Sequence, residues 1–245
     1  MEIKINKMKR LFAPFLFLLC LGLVPNAKAQ FKIGATTGAN FNTFGQPGMT
    51  LGGNVGAFGR YQVLEFLEAQ AELKYTLLGG GRHDFKSSFD SGDKAIRKIQ
   101  QGLTTVNYLN RSTLLHGIEL PISARLGLPE LNESFVVPKF VIGFSVSYLF
   151  SAYEQSDAVF NYGVSESVLF SDVQENVGAD FNALNLGYFG GFALDFNLEN
   201  EKVFTVEFRY LGGINNLNEA EDADPFVTEE LRPRSFSVNF AYQIF

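Results

Sequence analysis

Between residues 236 and 244, Phe236, Val238, Phe240, Tyr242 and Ile244 alternate with Ser237, Asn239, Ala241 and Gln243. A period of two marks a β-strand whose two faces meet different surroundings. The same alternation recurs over residues 31–43, 54–60, 67–77, 115–127, 135–149, 182–196 and 203–212, and with 234–244 it predicts eight strands and no long helix. The second segment is short, with room to extend towards Leu51 or Val63.

Parity sorts these strands into two unlike faces. One carries Ala71, Leu73, Tyr75, Ile118, Leu120, Ile122, Phe140, Ile142, Phe144, Phe192, Leu194, Phe196, Phe204, Val206, Phe208 and Tyr210. The other carries Glu68, Gln70, Glu72, Lys74, Glu119, Arg125, Lys139, Ser145, Ser147, Asp195, Glu207 and Arg209. The connections alternate too, at 10, 6, 37, 7, 32, 6 and 21 residues in chain order. In an up-and-down antiparallel sheet every second connection falls on the same end, so short and long connections segregate. Short turns at one end and long loops at the other are the pattern of a barrel that crosses an outer membrane.

Period two does not say which face is inside. In a soluble barrel or sandwich the apolar face would be the core and the charges would meet water. In a membrane barrel the apolar face meets lipid and the polar face fills the lumen. The front of the chain bears on this choice. Lys4, Lys7, Lys9 and Arg10 precede an apolar run over 11–24 and then Ala27-Lys28-Ala29, which reads as a secretory signal peptide cut before Gln30. With aromatic side chains at 14% and the alternating connections, export favours lipid on the apolar face. The expectation is a leader over 1–29 and an all-β domain over 30–245, an eight-stranded antiparallel up-and-down transmembrane β-barrel with both ends in the periplasm.

Composition narrows the chemistry. Cys20 is the single cysteine and lies in the leader, after Leu19, where a lipid-anchor motif wants a small residue. The exported chain therefore offers no disulfide, thiolate metal site or thiol nucleophile. Losing Glu2 and five basic residues with the leader leaves 15 basic against 25 acidic side chains, a net charge of −10. That balance argues against nucleic acid as a partner.

An eight-stranded lumen is just wide enough for side chains to fill. Glu72, Lys74, Glu119, Arg125, Lys139, Asp195, Glu207 and Arg209, four acids and four bases, are the candidates to fill it as a neutralised network. Enzyme chemistry has little to stand on. His83 and His116 are the two histidines, too few for a histidine metal site. A hydrolase reading with Ser112, His116 and Glu119 puts Ser112 in irregular structure and Glu119 on the face opposite His116. Gly79-Gly80-Gly81 lacks the Lys-Ser/Thr of a phosphate loop and reads as a flexible exit from the strand. No cofactor is expected.

The long connections segregate charge. Residues 78–114 hold Arg82, Lys86, Lys94, Arg97, Lys98 and Arg111 against three acids, Asp84, Asp90 and Asp93. Residues 150–181 hold six acids and no base, and 213–233 hold Glu219, Glu221, Asp222, Asp224, Glu229 and Glu230 against Arg232. Opposite signs on one rim suggest loops that fold against each other or dock a protein partner. A divalent cation at Glu219, Glu221, Asp222 and Asp224 is a weaker reading, because the run lacks the spacing and glycine of a calcium loop.

Several motifs resemble the PorT-like family of outer-membrane β-barrels of gliding and type IX-secreting Gram-negative bacteria. Lys32-Ile33-Gly34 with Gly38-Ala39-Asn40 is similar to the family's first strand, Glu72-Leu73-Lys74-Tyr75 to its third, and Ile118-Glu119-Leu120-Pro121 to its fourth. Tyr148-Leu149-Phe150-Ser151-Ala152 resembles the end of the fifth, and Arg209-Tyr210 followed by Gly212-Gly213-Ile214-Asn215-Asn216 the seventh-strand signature. Phe245 resembles the terminal aromatic read by barrel-insertion machinery, while Asn185-Leu186-Gly187 departs from the family, where an Asp before the glycine is usual. The resemblance implies an eight-stranded barrel in outer-membrane lipid, inserted by that machinery. The family's function is mostly unknown, and some members are needed for type IX secretion. The expectation for this chain is a non-enzymatic accessory or structural envelope role, with secretion-system proteins as candidate partners; the alternatives are surface adhesion or recognition through the long loops and, last, a membrane-barrel hydrolase.

Overall fold

The structure, a computed structural model, describes residues 31–45, 48–82, 85–88, 103–132, 134–162, 166–176, 181–199, 202–217 and 230–244. The expected leader over 1–29, His83, the Glu219, Glu221, Asp222 and Asp224 run and Phe245 lie outside these residues.

The described residues form antiparallel strands β1 (Phe31–Thr43), β2 (Thr50–Leu64), β3 (Leu67–Gly81), β4 (Phe85–Ser88), β5 (Leu103–Gly127), β6 (Val136–Tyr162), β7 (Glu166–Asn176), β8 (Leu184–Asn197), β9 (Val203–Gly213) and β10 (Arg234–Gln243). Eight of them close a ring in the order β1-β2-β3-β5-β6-β8-β9-β10, with β10 pairing back onto β1. Closure removes every sheet edge within the ring, which is what a β-structure in lipid requires. Residues 65–66, 128–135 and 198–202 make the tight connections at one end, the second carrying a 3-10 turn over Pro129–Leu131.

The ring is inside-out relative to a soluble protein. Leu73, Phe140, Ile142, Phe144, Tyr148 and Tyr188 are each more than half exposed, whereas Arg125, Ser147 and Asn185 are 0% exposed. The apolar parity class points out of the barrel and the charged class points in. Tyr75, Tyr148, Tyr188 and Tyr210 collect on the outer wall towards the long-connection end, and Phe31, Phe66, Phe135, Phe196 and Phe204 towards the tight turns. From Phe66 to Tyr75 a strand at ~3.3 Å per residue and ~40° tilt rises ~23 Å, matching the ~25 Å apolar band and flanking aromatic girdles of a membrane barrel.

Two expectations need correction. Residues 103–114 and 150–162, expected in loops, continue β5 and β6 as strands; Ser112, Thr113 and Leu114 still pair with β3 in the ring, and the rest extends beyond it. There β4 pairs with β5 and β7 with β6, so a four-stranded sheet β4-β5-β6-β7 stands above the long-connection end. It escapes a periodicity search because strands above the bilayer no longer have lipid on one side to enforce apolar alternation. The β5–β6 ladder shifts register between Leu109 and Ser112, where Asn110 takes a φ of 52° and its amide donates to Asp157 at 3.0 Å. Asn tolerates this left-handed conformation, and such a bulge re-aims the sheet as it leaves the ring.

The second correction concerns Gly79, Gly80 and Gly81, which belong to β3 and are buried. A Cβ on Gly79 would lie 2.2 Å from the Thr113 carbonyl oxygen, and one on Gly80 2.5 Å from the Phe44 nitrogen. These glycines let backbones approach closely where the lumen closes; they are not a flexible exit.

Candidate functional site in the charged lumen

Because inward positions recur every second residue, β3 alone sends Glu68, Gln70, Glu72, Lys74 and Thr76 into the lumen as a ladder. Cross-strand pairing supplies partners at matching heights: Arg125 opposite Glu68, Ser123 opposite Gln70 and Glu119 opposite Lys74. β2 sets Arg60 opposite Gln70 and Phe58 opposite Glu72.

The charges gather in two tiers. Near the tight turns, Asp195 accepts from Arg125 Nη2 at 2.6 Å and from Thr205 Oγ1 at 2.6 Å, with Lys139 Nζ at 3.1 Å and Arg60 Nη1 at 3.6 Å. Glu68 meets Lys139 Nζ at 2.8 Å, with Arg60 and Arg125 just under 4 Å away. In the upper tier Arg209 Nη2 donates to Glu72 at 2.7 Å and Arg209 Nε to Glu207 at 2.6 Å, while Lys74 Nζ lies 3.3 Å from Glu72 and 3.9 Å from Glu119. Gln70 joins the tiers: its Oε1 accepts from Arg60 Nε and Arg125 Nη1, and its Nε2 donates to Glu72, all at 2.9 Å. The guanidinium of Arg209 also covers the Phe189 ring at 4.2 Å and that of Arg60 the Phe58 ring at 5.1 Å.

All eight predicted residues thus enter one connected network: Arg125, Lys139 and Asp195 in the lower tier, and Glu72, Lys74, Glu119, Glu207 and Arg209 in the upper. Two members were missing from that set, Arg60 and Glu68, and with them five cations face five carboxylates. Glu68 stood on the polar face already. Arg60 was detectable by parity, because it shares the alternate positions of Asn54, Gly56 and Phe58, and Asn54 is a buried polar residue. Its place at the very end of the predicted segment hid that signal. Buried ions are tolerable only when paired and hydrogen-bonded, and each one here is held within 4 Å of an opposite charge.

Above the charges lies an amide layer, in which Asn54 Nδ2 donates to Asn40 at 2.8 Å and to Asn239 at 2.9 Å. Above that, Phe44, Leu78, Leu115, Leu149, Ala152, Phe181, Leu217 and Leu231 form a buried apolar cluster across the long-connection end of the ring. The seventh-strand signature ties this end together. Asn215 Nδ2 donates to the Leu184 carbonyl and its Oδ1 accepts from the Leu186 amide, both at 2.7 Å, so the side chain continues the β8 edge. Asn216 Oδ1 accepts from the Leu231 amide at 2.8 Å.

At the base of the standing sheet, Arg82 Nη1 and Arg111 Nε hold the buried Glu154 at 2.9 and 2.5 Å. The basic 78–114 segment therefore meets the acidic 150–181 segment, as their opposite signs suggested. The hydrolase reading places its residues differently. Ser112 lies in β5, not in irregular structure; His116 sits on the outer wall with its Nδ1 2.6 Å from the Tyr75 hydroxyl, and Glu119 turns into the lumen. Among the described residues no group of three His, Cys, Asp or Glu side chains is placed to hold a metal ion.

Comparison with known proteins places this geometry in a family. A model described as "Outer membrane protein beta-barrel domain" matches residues 25–219. No curated protein sequence matches the chain. Among solved structures the chain is similar to Neisserial surface protein A (13% identity, 89% of this chain and 100% of that one, TM-score 0.43). It is also similar to the attachment invasion locus protein Ail of Yersinia pestis (11%, 89% and 100%, 0.39) and to a major outer membrane protein of Thermus thermophilus (12%, 87% and 99%, 0.44). With the family model spanning most of the sequence and the closed ring turning its apolar wall outward, the chain belongs to the outer membrane protein beta-barrel domain family, and its place is the outer membrane.

Proposed function

We propose that this barrel is a non-enzymatic, non-conducting component of the cell envelope that works through its two ends. The observation carrying this reading is the lumen: a connected charge network, an amide layer and an apolar cluster lie in series along it. A solute following the lumen would have to break ion pairs in a low dielectric and then part packed leucines, so activity belongs to the ends. Accessory participation in type IX secretion is the finer form of the proposal, resting on the PorT-like motifs. A deletion strain is expected to lose a subset of secreted proteins, restored by complementation. An unchanged set of secreted proteins overturns the secretion role.

The standing sheet favours a second reading, surface recognition. Among the described residues its outer strand β7 pairs only with β6, and it exposes Leu169 and Phe170. Enzymatic removal of the long loops from intact cells is then expected to abolish binding to a surface partner while secretion survives.

Both readings put the long-connection end outside the cell. Removal of the leader takes Cys20 with it, so a single introduced cysteine reports topology cleanly. Ser171→Cys in β7 is expected to react with a membrane-impermeant maleimide on intact cells, and Glu199→Cys beside the β8–β9 turn only after lysis. Reaction of Glu199→Cys on intact cells would reverse the orientation.

A further inference from the structure

The ten charges of the connected network balance, but its tight-turn end carries more cations than carboxylates. We propose that this end is a binding site for a small oxyanion of the phosphate class. A cavity of about 140 Å³ opens there, lined by Lys32, Gln62, Glu68, Asn132, Lys139 and Asp195 among others. Lys32 is absent from the five-against-five network, and in the β1–β2 register it stands directly opposite Arg60. Like charges opposite each other across two strands repel, a repulsion that Glu68 and Asp195 offset only in part because Arg125 and Lys139 share them.

The two carboxylates of the cavity wall each face a cation already, although Glu68 Oε2 makes no hydrogen bond among the described residues. Glu68 is held by Lys139, and Asp195 by Arg125, Thr205 and Lys139. With Lys32 included, four cations (Lys32, Arg60, Arg125 and Lys139) face two carboxylates in the lower tier, a local excess of two positive charges. Behind that lining, Arg60 Nη2 and Arg125 Nε are buried and make no hydrogen bond among the described residues, with Arg125 Nε 3.9 Å from Glu68. Gln62, Asn132 and Asn197 add neutral polar groups at the mouth. Ammonium groups of Lys32 and Lys139 with these amides around a water-accessible cavity, and two guanidinium groups adding positive charge behind its wall, match the acceptor-rich surface of an oxyanion. This site is independent of the secretion and recognition readings.

The test uses the full barrel refolded in detergent without phosphate, titrated calorimetrically with inorganic phosphate at constant ionic strength. Wild type is expected to bind one phosphate saturably. Lys32→Met, which removes a cation without leaving any carboxylate unpaired, is expected to weaken binding about tenfold, the scale of one nearby charge in a partly shielded site. Lys202→Met, at the same end but on the outer wall over the Tyr242 ring, is expected to leave it unchanged. Absence of saturable binding in wild type, equal affinity in Lys32→Met, or equal weakening in both variants overturns the proposal. Far-UV circular dichroism confirms that each variant holds its barrel.

Discussion

Arg209→Ala is expected to destabilise the barrel by about 3–5 kcal/mol, the usual cost of removing one partner from a buried ion pair. Arg209 is 4% exposed and serves two carboxylates at once, Glu72 at 2.7 Å and Glu207 at 2.6 Å. After its loss Glu72 keeps Lys74 and Gln70, but Glu207, 4% exposed, loses the cation hydrogen-bonded to it. The Phe189 ring also loses its cationic cover. Much of the loss should be recoverable by neutralising the stranded acid, so Arg209→Met with Glu207→Gln is expected to sit well above Arg209→Ala in stability. Urea titration of the refolded barrel, followed by far-UV circular dichroism, reads both. An unchanged midpoint for Arg209→Ala would mean that the network adds nothing to stability.

Ile142→Arg carries the second large effect, with the opposite logic. Ile142 lies halfway along the ring portion of β6, points outward and is 59% exposed, flanked across the ladder by Ala124 and Gly190. In water an arginine there would be harmless. At the middle of a bilayer it is expected to cost about 2–4 kcal/mol. Val136→Arg, near the tight-turn rim on the same strand, is expected to cost about 0–1 kcal/mol, because depth sets the penalty. Refolding into phospholipid vesicles separates the two, and equal stability of both variants would contradict a lipid-facing wall.

How much of this was legible beforehand follows from what imposes a pattern on the chain. The segments 31–43 and 203–212 nearly coincide with β1 and β9, and every outward residue named on β3, β5, β6, β8 and β9 does face out. Lipid on one side and a packed lumen on the other force strict alternation there. Where that contrast ends, the pattern ends: Leu103–Asn110 and Tyr153–Tyr162 pair as strands above the bilayer without an apolar face to announce it. Gly79 and Gly80 were misread for a related reason. Their small size answers to Thr113 and Phe44, residues distant in sequence that closure of the ring brings against them.

The lumen divides in the same way. Alternation determined which charges share an interior, because parity is a local property of an extended chain. It could not determine which acid meets which base: Arg209 reaches Glu72 from 137 positions away, and Arg125 reaches Asp195 from 70. Those pairings depend on strand register and on curling the sheet until β10 meets β1. The amino-acid sequence by itself determined the strands, their two faces, the alternating connections and the sign of each buried charge. Only the tertiary structure decided the two tiers, the Gln70 bridge between them, the standing sheet and the juxtaposition of Lys32 with Arg60, since each depends on distances across a closed ring that no local pattern encodes.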